Sequence, residues 1–201
     1  HIPESEMKEI LMLKDRLTTL ESQDKCRDSF MEYVRYIWDG FIEGEHHRLI
    51  ADKLTEVAQG KCKRLIVNMP PRHTKSEFAS VYFPSWIMGL KPDMKIMQTT
   101  HTADLSIRFG RKVRNLMDTQ EYKRMFDNVS LAADSKSAGR WETSQGGEYF
   151  AAGVGGAITG RGADLLIIDD PHSEQDALSL TAMEGAYEWY TSGPRQRLQP
   201  G

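Results

Sequence analysis

"DLLIIDD", residues 164–170, is an apolar run that ends in two acidic residues. The run lacks alternation of apolar and polar residues, which predicts a strand buried on both faces, as in a parallel sheet. "RLIVNM" (residues 64–69) and "MKIMQTT" (residues 94–100) predict two further strands. Segments with helical spacing separate these runs, and the alternation predicts an α/β fold with a parallel-rich central sheet flanked by helices.

The other segments carry their own local signals. Helical spacing dominates the first 60 residues, so we predict a helical N-terminal extension (1–60) ahead of an α/β core (61–201). Within the core we predict helices over residues 76–90, with a kink at Pro84, over residues 102–117, with Thr102 as the cap, and over residues 178–193. "RWET" and "GEYFAAG" flank the turn signal "SQGG" and predict a β-hairpin.

The composition limits the class of protein. A formal charge of −3 argues against a surface coated in positive charge, so contact with nucleic acid needs a local patch. Cys26 and Cys62 lack CxxC spacing, which argues against a zinc site and favours a reducing compartment. No apolar run approaches the roughly 20 residues that cross a bilayer, and we expect a cytoplasmic protein without membrane contact. The chain begins at His1 and ends in "RLQPG", so we expect a fragment.

"NMPPRHTKSEFAS", residues 68–80, has the Lys-Ser pair of a phosphate-binding loop. The predicted strand at 66–69 would deliver the chain into a turn at 70–74, and a helix would start at Ser76. Lys75 would reach the β and γ phosphates of a nucleotide, and the Ser76 hydroxyl would ligate Mg²⁺. The pattern GxxxxGKS fails at both glycines, where Met69 and Thr74 stand, so a surface turn containing Lys-Ser is the alternative.

The acids after the buried strand supply the second half of a hydrolytic site. Asp169 would hold the Mg²⁺ shell, and Asp170 would polarise the attacking water. A strand that merely ends in two solvated acids is the alternative interpretation of this feature alone. Because the loop and the acids occur in the order that a nucleotide hydrolase needs, the sequence predicts a site for ATP and Mg²⁺.

Together these segments resemble a known family. "VNMPPRHTKSEFAS", "TTHTADLSIRFGRKVRNLM", "GRWETSQGGEYFAAGVGGAITGRGADLLIIDDPHSEQDA" and "YEWYTSGPRQRLQPG" are similar, in this order, to the ATPase domain of tailed-bacteriophage terminase large subunits, the motors that package DNA. The resemblance covers residues 30–201. It implies a P-loop NTPase fold of the RecA/ASCE type, with the C-terminal end of the ATPase core and the C-terminal nuclease domain outside this chain.

The resemblance also implies roles for individual residues. In the loop it implies phosphate contacts for Pro71, Arg72 and His73, whereas Thr74 departs from the family, which has glycine before the lysine. A β-branched residue does not easily adopt positive φ, so the geometry of the loop is an open question. Arg161 matches the arginine thought to reach into the neighbouring subunit's nucleotide site. Its alternative role is a structural salt bridge.

Two more positions depend on the resemblance. His47 lies in the region that contacts adenine, within residues 1–60, although a solvated histidine is an equal alternative. The second acid is commonly glutamate in the family, and here it is the shorter Asp170. Glu174 could assist it, but Glu174 lies beyond Pro171 in a predicted loop, and we favour Asp170.

The resemblance implies partners that the residues alone do not specify. These are double-stranded DNA, a portal protein, the small terminase subunit and further copies of the chain in a ring, expected to be a pentamer, at the procapsid portal in the host cytoplasm. A basic stripe of Arg108, Arg111 and Lys112 could touch DNA or form a solvated helix face. The alternatives are one RecA-like half of a helicase, suggested by "DDPH", a metal-dependent nuclease, and a binding module without nucleotide.

Overall fold

The computed structural model describes residues 2–135, 137–158, 160 and 162–200. It divides the chain into two compact units, His1–Ile66 and Val67–Gly201. The first unit is helical and the second is mixed α/β. Among the described helices, none combines the length and the apolar character that crossing a bilayer requires.

Three helices form the N-terminal unit: α1 (Glu4–Asp28), α2 (Phe30–Ile37) and α3 (Glu45–Ala58). Glycines in the left-handed conformation follow two of them, Gly40 at φ 72° and Gly60 at φ 74°, because this conformation costs glycine nothing. Glu43, in the link before α3, accepts hydrogen bonds at 2.6 Å from Nε of both Arg35 and Arg48. These bonds hold the pKa of the Glu43 carboxyl near 2, well below its ordinary value.

The C-terminal unit is built on a four-stranded sheet in the order β2-β3-β1-β4. The strands are β1 (Lys95–Thr100), β2 (Arg140–Glu142), β3 (Glu148–Gly153) and β4 (Leu165–Ile168). β1 pairs in parallel with β3 on one side and with β4 on the other, and β2 pairs antiparallel with β3 at the edge. The predicted α/β class, the mostly parallel sheet and the hairpin are therefore confirmed.

Helical segments lie before β1, between β1 and β2, and after β4. The first helical segment runs from α4 (Lys75–Glu77) through a π-helical turn (Phe78–Tyr82) into α5 (Phe83–Leu90). The π-helical turn lies just before Pro84, which has no N–H to donate to a helical carbonyl. The remaining segments, in chain order, are α6 (Ala103–Met117), α7 (Gln120–Met125), a 3₁₀ turn (Asp176–Leu178), α8 (Leu180–Ser192) and α9 (Pro194–Arg197).

α6 packs against β3 and β1 and forms the centre of the core. Thr102 caps it as predicted, since its Oγ1 accepts the N–H of Leu105 at 3.3 Å. Gly110 lies so close to the sheet that a Cβ atom there would collide with the carbonyl oxygen of Ala138. Trp141 stacks on Tyr149 with ring centroids 4.9 Å apart, and both rings are fully buried. This close packing fixes β2 and the first residues of β3 relative to α6.

The strand predicted at residues 66–69 is wrong. The segment is irregular, and the Ile66 side chain is 86% exposed. β-branched residues favour an extended backbone, but a strand also needs a neighbour for its ladder hydrogen bonds. In the described residues, the edge of β4 that faces away from β1 is met by Leu198, which bridges Ala163 in parallel, and residues 66–69 join no ladder.

Candidate functional site

The candidate site lies where β1 and β4 end. Because the two strands are parallel, their carboxyl ends meet at one edge of the sheet, the usual position of ligand sites in α/β folds. The N–H of Asp169 donates to the carbonyl of Thr99 at 2.9 Å, and the N–H of His101 donates to the carbonyl of Asp170 at 3.2 Å. Both predicted acids are thus held by backbone bonds to β1 and the residue after it.

Asp169 is buried and hydrogen-bonded. It is 5% exposed, and its Oδ2 accepts the hydroxyl of Ser80 at 2.8 Å. Ser80 is fully buried in the π-helical turn that follows the phosphate-loop segment. A buried carboxyl oxygen without a hydrogen-bond partner would be costly, and this bond satisfies one oxygen of Asp169 inside the fold.

Gln98 in β1 fixes the direction of that hydrogen bond. Its Nε2 donates to Oγ of Ser80 at 3.1 Å, so the hydroxyl proton of Ser80 is free to point to Asp169. With the amide reversed, Gln98 would accept that proton, and the carboxylate would lose its donor. Oε1 of Gln98 is buried and has no hydrogen-bond partner within the described residues. The three side chains therefore form a directed chain from β1 through the helix to the acid.

Asp170 differs from Asp169 in its exposure and in its backbone conformation. Its side chain is 61% exposed, and its backbone has φ 44°, an unusual value for a residue other than glycine. Its Oδ1 lies 3.1 Å from Nζ of Lys75, which is 95 positions earlier in the chain. The left-handed backbone at Asp170 turns the chain away from β4 and leaves the side chain facing the loop. The structure therefore brings together the lysine and the second acid that the sequence analysis selected.

The loop before Lys75 has two strained residues. Arg72 has φ 64°, and Thr74 has φ 63° and ψ 13°, so both adopt the left-handed conformation. For a residue other than glycine this conformation costs about 1–2 kcal/mol. Nδ1 of His73 lies 2.9 Å from the carbonyl oxygen of Pro71, a contact that tightens the turn. Thr74 thus occupies, with strain, the backbone conformation that glycine adopts without cost.

An open cavity of about 580 Å³ lies over this loop. This volume falls in the range of about 300–1,000 Å³ that small-molecule sites occupy. Glu77, at the cavity wall, pairs with Lys112 of the predicted basic stripe at 3.2 Å, while Arg108 and Arg111 are exposed. The cavity is lined by Met69, Pro70, Pro71, Arg72, His73, Thr74, Lys75, Ser76, Glu77 and Asp170.

The oxygen ligands near the loop suit a magnesium ion. Mg²⁺ prefers hard oxygen ligands and usually binds to one or two protein groups while it keeps waters and phosphate oxygens. Ser76 is half-buried at the start of α4, and Asp169 contacts the same helical segment through Ser80. No group of three or more His, Cys, Asp or Glu gathers for a metal in the described ranges, so a site made by protein ligands alone has no candidate there.

The remaining predicted positions are His47, Arg161 and Glu174. His47 is in the N-terminal unit, where it is 5% exposed, and its Nδ1 accepts the N–H of Gly44 at 2.8 Å. Arg161 lies outside the described residues, so its role stays a prediction. Glu174 is exposed in the loop after β4. In that loop the backbone N–H of Ser173 lowers the pKa of the Asp176 carboxyl below its ordinary value.

The sequence analysis missed Ser80, Gln98 and His101. Two of them left a signal in the sequence. Ser80 follows Ser76 by four positions, so both lie on the same face of a helix. Gln98 is a polar residue inside the short strand run "KIMQTT", and a polar side chain in a strand buried on both faces needs a partner. His101 contacts the carbonyl oxygen of Asp170 through its backbone N–H and through ring Nδ1 at 3.3 Å, and no residue pattern predicts either contact.

Neither the models of known protein families nor the curated protein sequences contain a match to this chain. The resemblance to terminases therefore depends on the motifs and their order alone.

Proposed function

We propose that this chain is an ATPase of the P-loop class and forms the motor module of a viral terminase large subunit. It hydrolyses Mg-ATP to drive double-stranded DNA into a procapsid. The observation that carries the proposal is the contact of Lys75 with Asp170 at 3.1 Å, since it joins the loop and the acidic strand end across 95 positions of sequence. Two independent sequence features with complementary roles in phosphate transfer converge on one cavity.

In this proposal the strained loop binds the phosphates. Backbone N–H groups of residues 72–74, the exposed Arg72 and His73, and the ammonium of Lys75 would hold the phosphates of ATP, while Pro71, which has no N–H, would shape the turn beside them. The hydroxyl of Ser76 and a carboxylate oxygen of Asp169 would hold Mg²⁺, which supplies charge neutralisation at the phosphate oxygens when it is bound. Ser80 donates to Oδ2 of Asp169, which leaves Oδ1 for the cation shell.

Asp170 would orient the attacking water. Its exposed carboxylate can accept a proton from a water in the cavity once phosphates draw Lys75 away from it. The short side chain suits this task because the backbone at φ 44° already directs it toward the loop. Arg161 would enter the site of a neighbouring subunit and stabilise the charge that develops in the transition state. Hydrolysis would then require an assembled ring.

The motor role extends this chemistry to an assembly. The chain would self-associate in a ring, expected to be pentameric, at the portal of the procapsid in the host cytoplasm. It would contact the portal protein, the small terminase subunit and double-stranded DNA. Arg108 and Arg111 are exposed on α6 and are candidates for the phosphate backbone of DNA.

Binding of Mg-ATP tests the proposal most directly, because it does not need the assembled ring that hydrolysis would require. Titration calorimetry should show Mg-dependent binding of ATP, and Lys75→Ala should weaken it about 10- to 100-fold, because a charged hydrogen bond to phosphate contributes about 1.5–3 kcal/mol. Lys123→Ala is the matched control, since Lys123 forms a similar exposed pair with Asp118 at 2.8 Å. Equal affinity in the Lys75→Ala variant and the parent would reject the phosphate-loop assignment.

Two further assays separate the motor from the alternative enzymes. A helicase half in its complete protein displaces a DNA strand in an ATP-dependent way, whereas a packaging motor does not. A metal-dependent nuclease nicks plasmid DNA with Mg²⁺ or Mn²⁺ and loses this activity in the Asp169→Ala variant. We expect neither activity from this chain, and nicking that depends on Asp169 would assign the acids to a nuclease instead.

A further inference from the structure

α1 carries seven exposed large apolar side chains, and four of them recur at intervals of three and four residues. Ile10, Leu13, Leu17 and Leu20 have exposed fractions of 49%, 61%, 58% and 48%. Contiguous apolar side chains on a surface usually mark an interaction site, because exposing them to water is unfavourable. In α1 the side chain classed as buried is Cys26, near the C-terminal end of the helix.

The spacing of the four residues is that of a coiled-coil seam. Steps of three, four and three residues place Ile10 and Leu17 at heptad positions a and Leu13 and Leu20 at positions d. Leucine stands at both d positions, and the β-branched Ile10 at the first a position favours two strands, a preference to which Leu17 at the second a position does not add. The next core positions are polar, Glu6 before the seam and Asp24 after it, so the seam covers about two heptads. Such a short seam gives a weak and reversible association.

The charges beside the seam select the partner. Glu9 and Arg16 stand at positions g, while Lys14 and Glu21 stand at positions e, and all four are exposed. In a parallel pair of identical helices, each g residue faces the e residue five positions later in the other copy. Glu9 then faces Lys14 of the second copy, and Arg16 faces Glu21 of the second copy. Both contacts are between opposite charges.

An antiparallel pair that aligns the same four apolar residues would place like charges opposite each other. In that arrangement position e faces e and position g faces g. Lys14 would face Lys14 of the second copy, and Arg16 would face Arg16. Like charges at these distances repel. The charge pattern of α1 is therefore complementary to a second copy in the parallel direction and opposed to the antiparallel one.

We infer that α1 is a self-association element, which joins two copies of this chain through a parallel two-stranded coiled coil over residues 7–21. The contact does not depend on the proposed ATPase, and it is distinct from the ring contact that Arg161 would require. It places two copies of the C-terminal unit on one tether, and the association should be weak, in the micromolar to millimolar range.

Disulfide trapping tests the inference and its direction. In a Cys26→Ala, Cys62→Ser background, Leu13→Cys should form a disulfide-linked dimer under mild oxidation, because identical d positions face each other in a parallel pair. Met12→Cys is the matched control, since Met12 is 73% exposed but lies off the seam. A lack of crosslinking at Leu13, or equal crosslinking at Met12, would overturn the inference, and an antiparallel pair would give the first of these results.

Charge reversal gives an independent readout by sedimentation equilibrium. Glu9→Lys and Lys14→Glu should each weaken self-association about fivefold, since each places like charges opposite each other twice in the dimer. The double variant Glu9→Lys, Lys14→Glu restores opposite charges and should recover most of the affinity. Circular dichroism checks that the exposed substitutions leave the helices intact. A parent chain that stays monomeric at millimolar concentration, or a double variant weaker than both single variants, would overturn the inference.

Discussion

The two halves of the candidate site are built differently. The acid half, at the end of β4, has a buried Asp169 that accepts a hydrogen bond from Ser80, which in turn accepts one from Gln98. The loop half is exposed, lacks the predicted strand and holds Thr74 in a strained conformation. In the described residues, the side-chain bond that joins the loop half to the acid half is the Lys75–Asp170 pair.

This difference shows which half the fold determines. The sheet and the helical segment at residues 75–90 position Asp169 through buried bonds that exist without a ligand. Residues 71–73 of the loop are exposed, so a bound anion would contribute much of the order of the loop. The acid half should therefore be sensitive to changes in packing and hydrogen bonding, and the loop half should respond mainly to the ligand.

The largest expected effect separates two serines of one helical segment. Ser80→Ala removes the donor to buried Asp169 and leaves Nε2 of Gln98 without its acceptor, so the free energy of unfolding should fall by about 2 kcal/mol. Ser76→Ala makes the same chemical change at a half-buried position and should cost less than about 0.5 kcal/mol. Urea unfolding of both variants measures the contrast, and similar losses would refute it.

A second prediction concerns the direction of the buried hydrogen bonds that run from Gln98 through Ser80 to Asp169. Gln98→Met alone should cost about 1 kcal/mol or less, because one of its two polar atoms is already without a partner. In the Ser80→Ala background the same change should instead stabilise the protein by about 1 kcal/mol, since it removes an amide donor that has lost its acceptor. A double-mutant cycle measures this coupling. Additive effects would mean that Gln98 does not direct the Ser80 proton.

Thr74→Gly should strengthen the loop half. Glycine adopts φ 63° without a steric cost, but it also gains freedom in the unfolded chain, so we expect a net stabilisation of about 0.5–1 kcal/mol. Ser76→Gly is the reciprocal control, because glycine at the start of a helix should destabilise it by up to about 1 kcal/mol. Calorimetry with Mg-ATP measures nucleotide affinity in the same variant. A loss of stability in Thr74→Gly would show that the threonine side chain supports the loop.

The sequence predicted the elements that depend on local patterns and missed those that depend on distant neighbours. The α/β class, the hairpin, the Thr102 cap and β4 were predictable because each depends on local periodicity or on a local capping pattern. The strand at 66–69 was wrong because a strand needs a neighbour, and the local pattern of "RLIVNM" contains no information about one.

In the candidate site, too, the residues in motifs were predictable and the contacts made by packing were not. Motif order predicted one site for Lys75 and Asp170, and Nζ of Lys75 lies 3.1 Å from Oδ1 of Asp170. The bond between Ser80 and Asp169 joins residues 89 positions apart, so only the folded packing reveals it. The left-handed backbone at Asp170 also escaped prediction, because aspartate has no strong preference for that conformation and the residues packed around it decide the outcome.

The smallest expected effect is on the pair that links the two halves. Lys75→Met keeps the length of the side chain and removes its charge, and it should change the free energy of unfolding by less than about 0.5 kcal/mol, because partly exposed ion pairs contribute little. Lys123→Met, which breaks the exposed pair with Asp118, should behave alike, and added salt should reduce both effects. Urea unfolding at low and high salt measures them. A loss above about 1.5 kcal/mol at Lys75 alone, insensitive to salt, would mean that the fold builds the loop half as firmly as the acid half. The small effect that we expect instead leaves Lys75 free to exchange Asp170 for a phosphate without a large loss of stability.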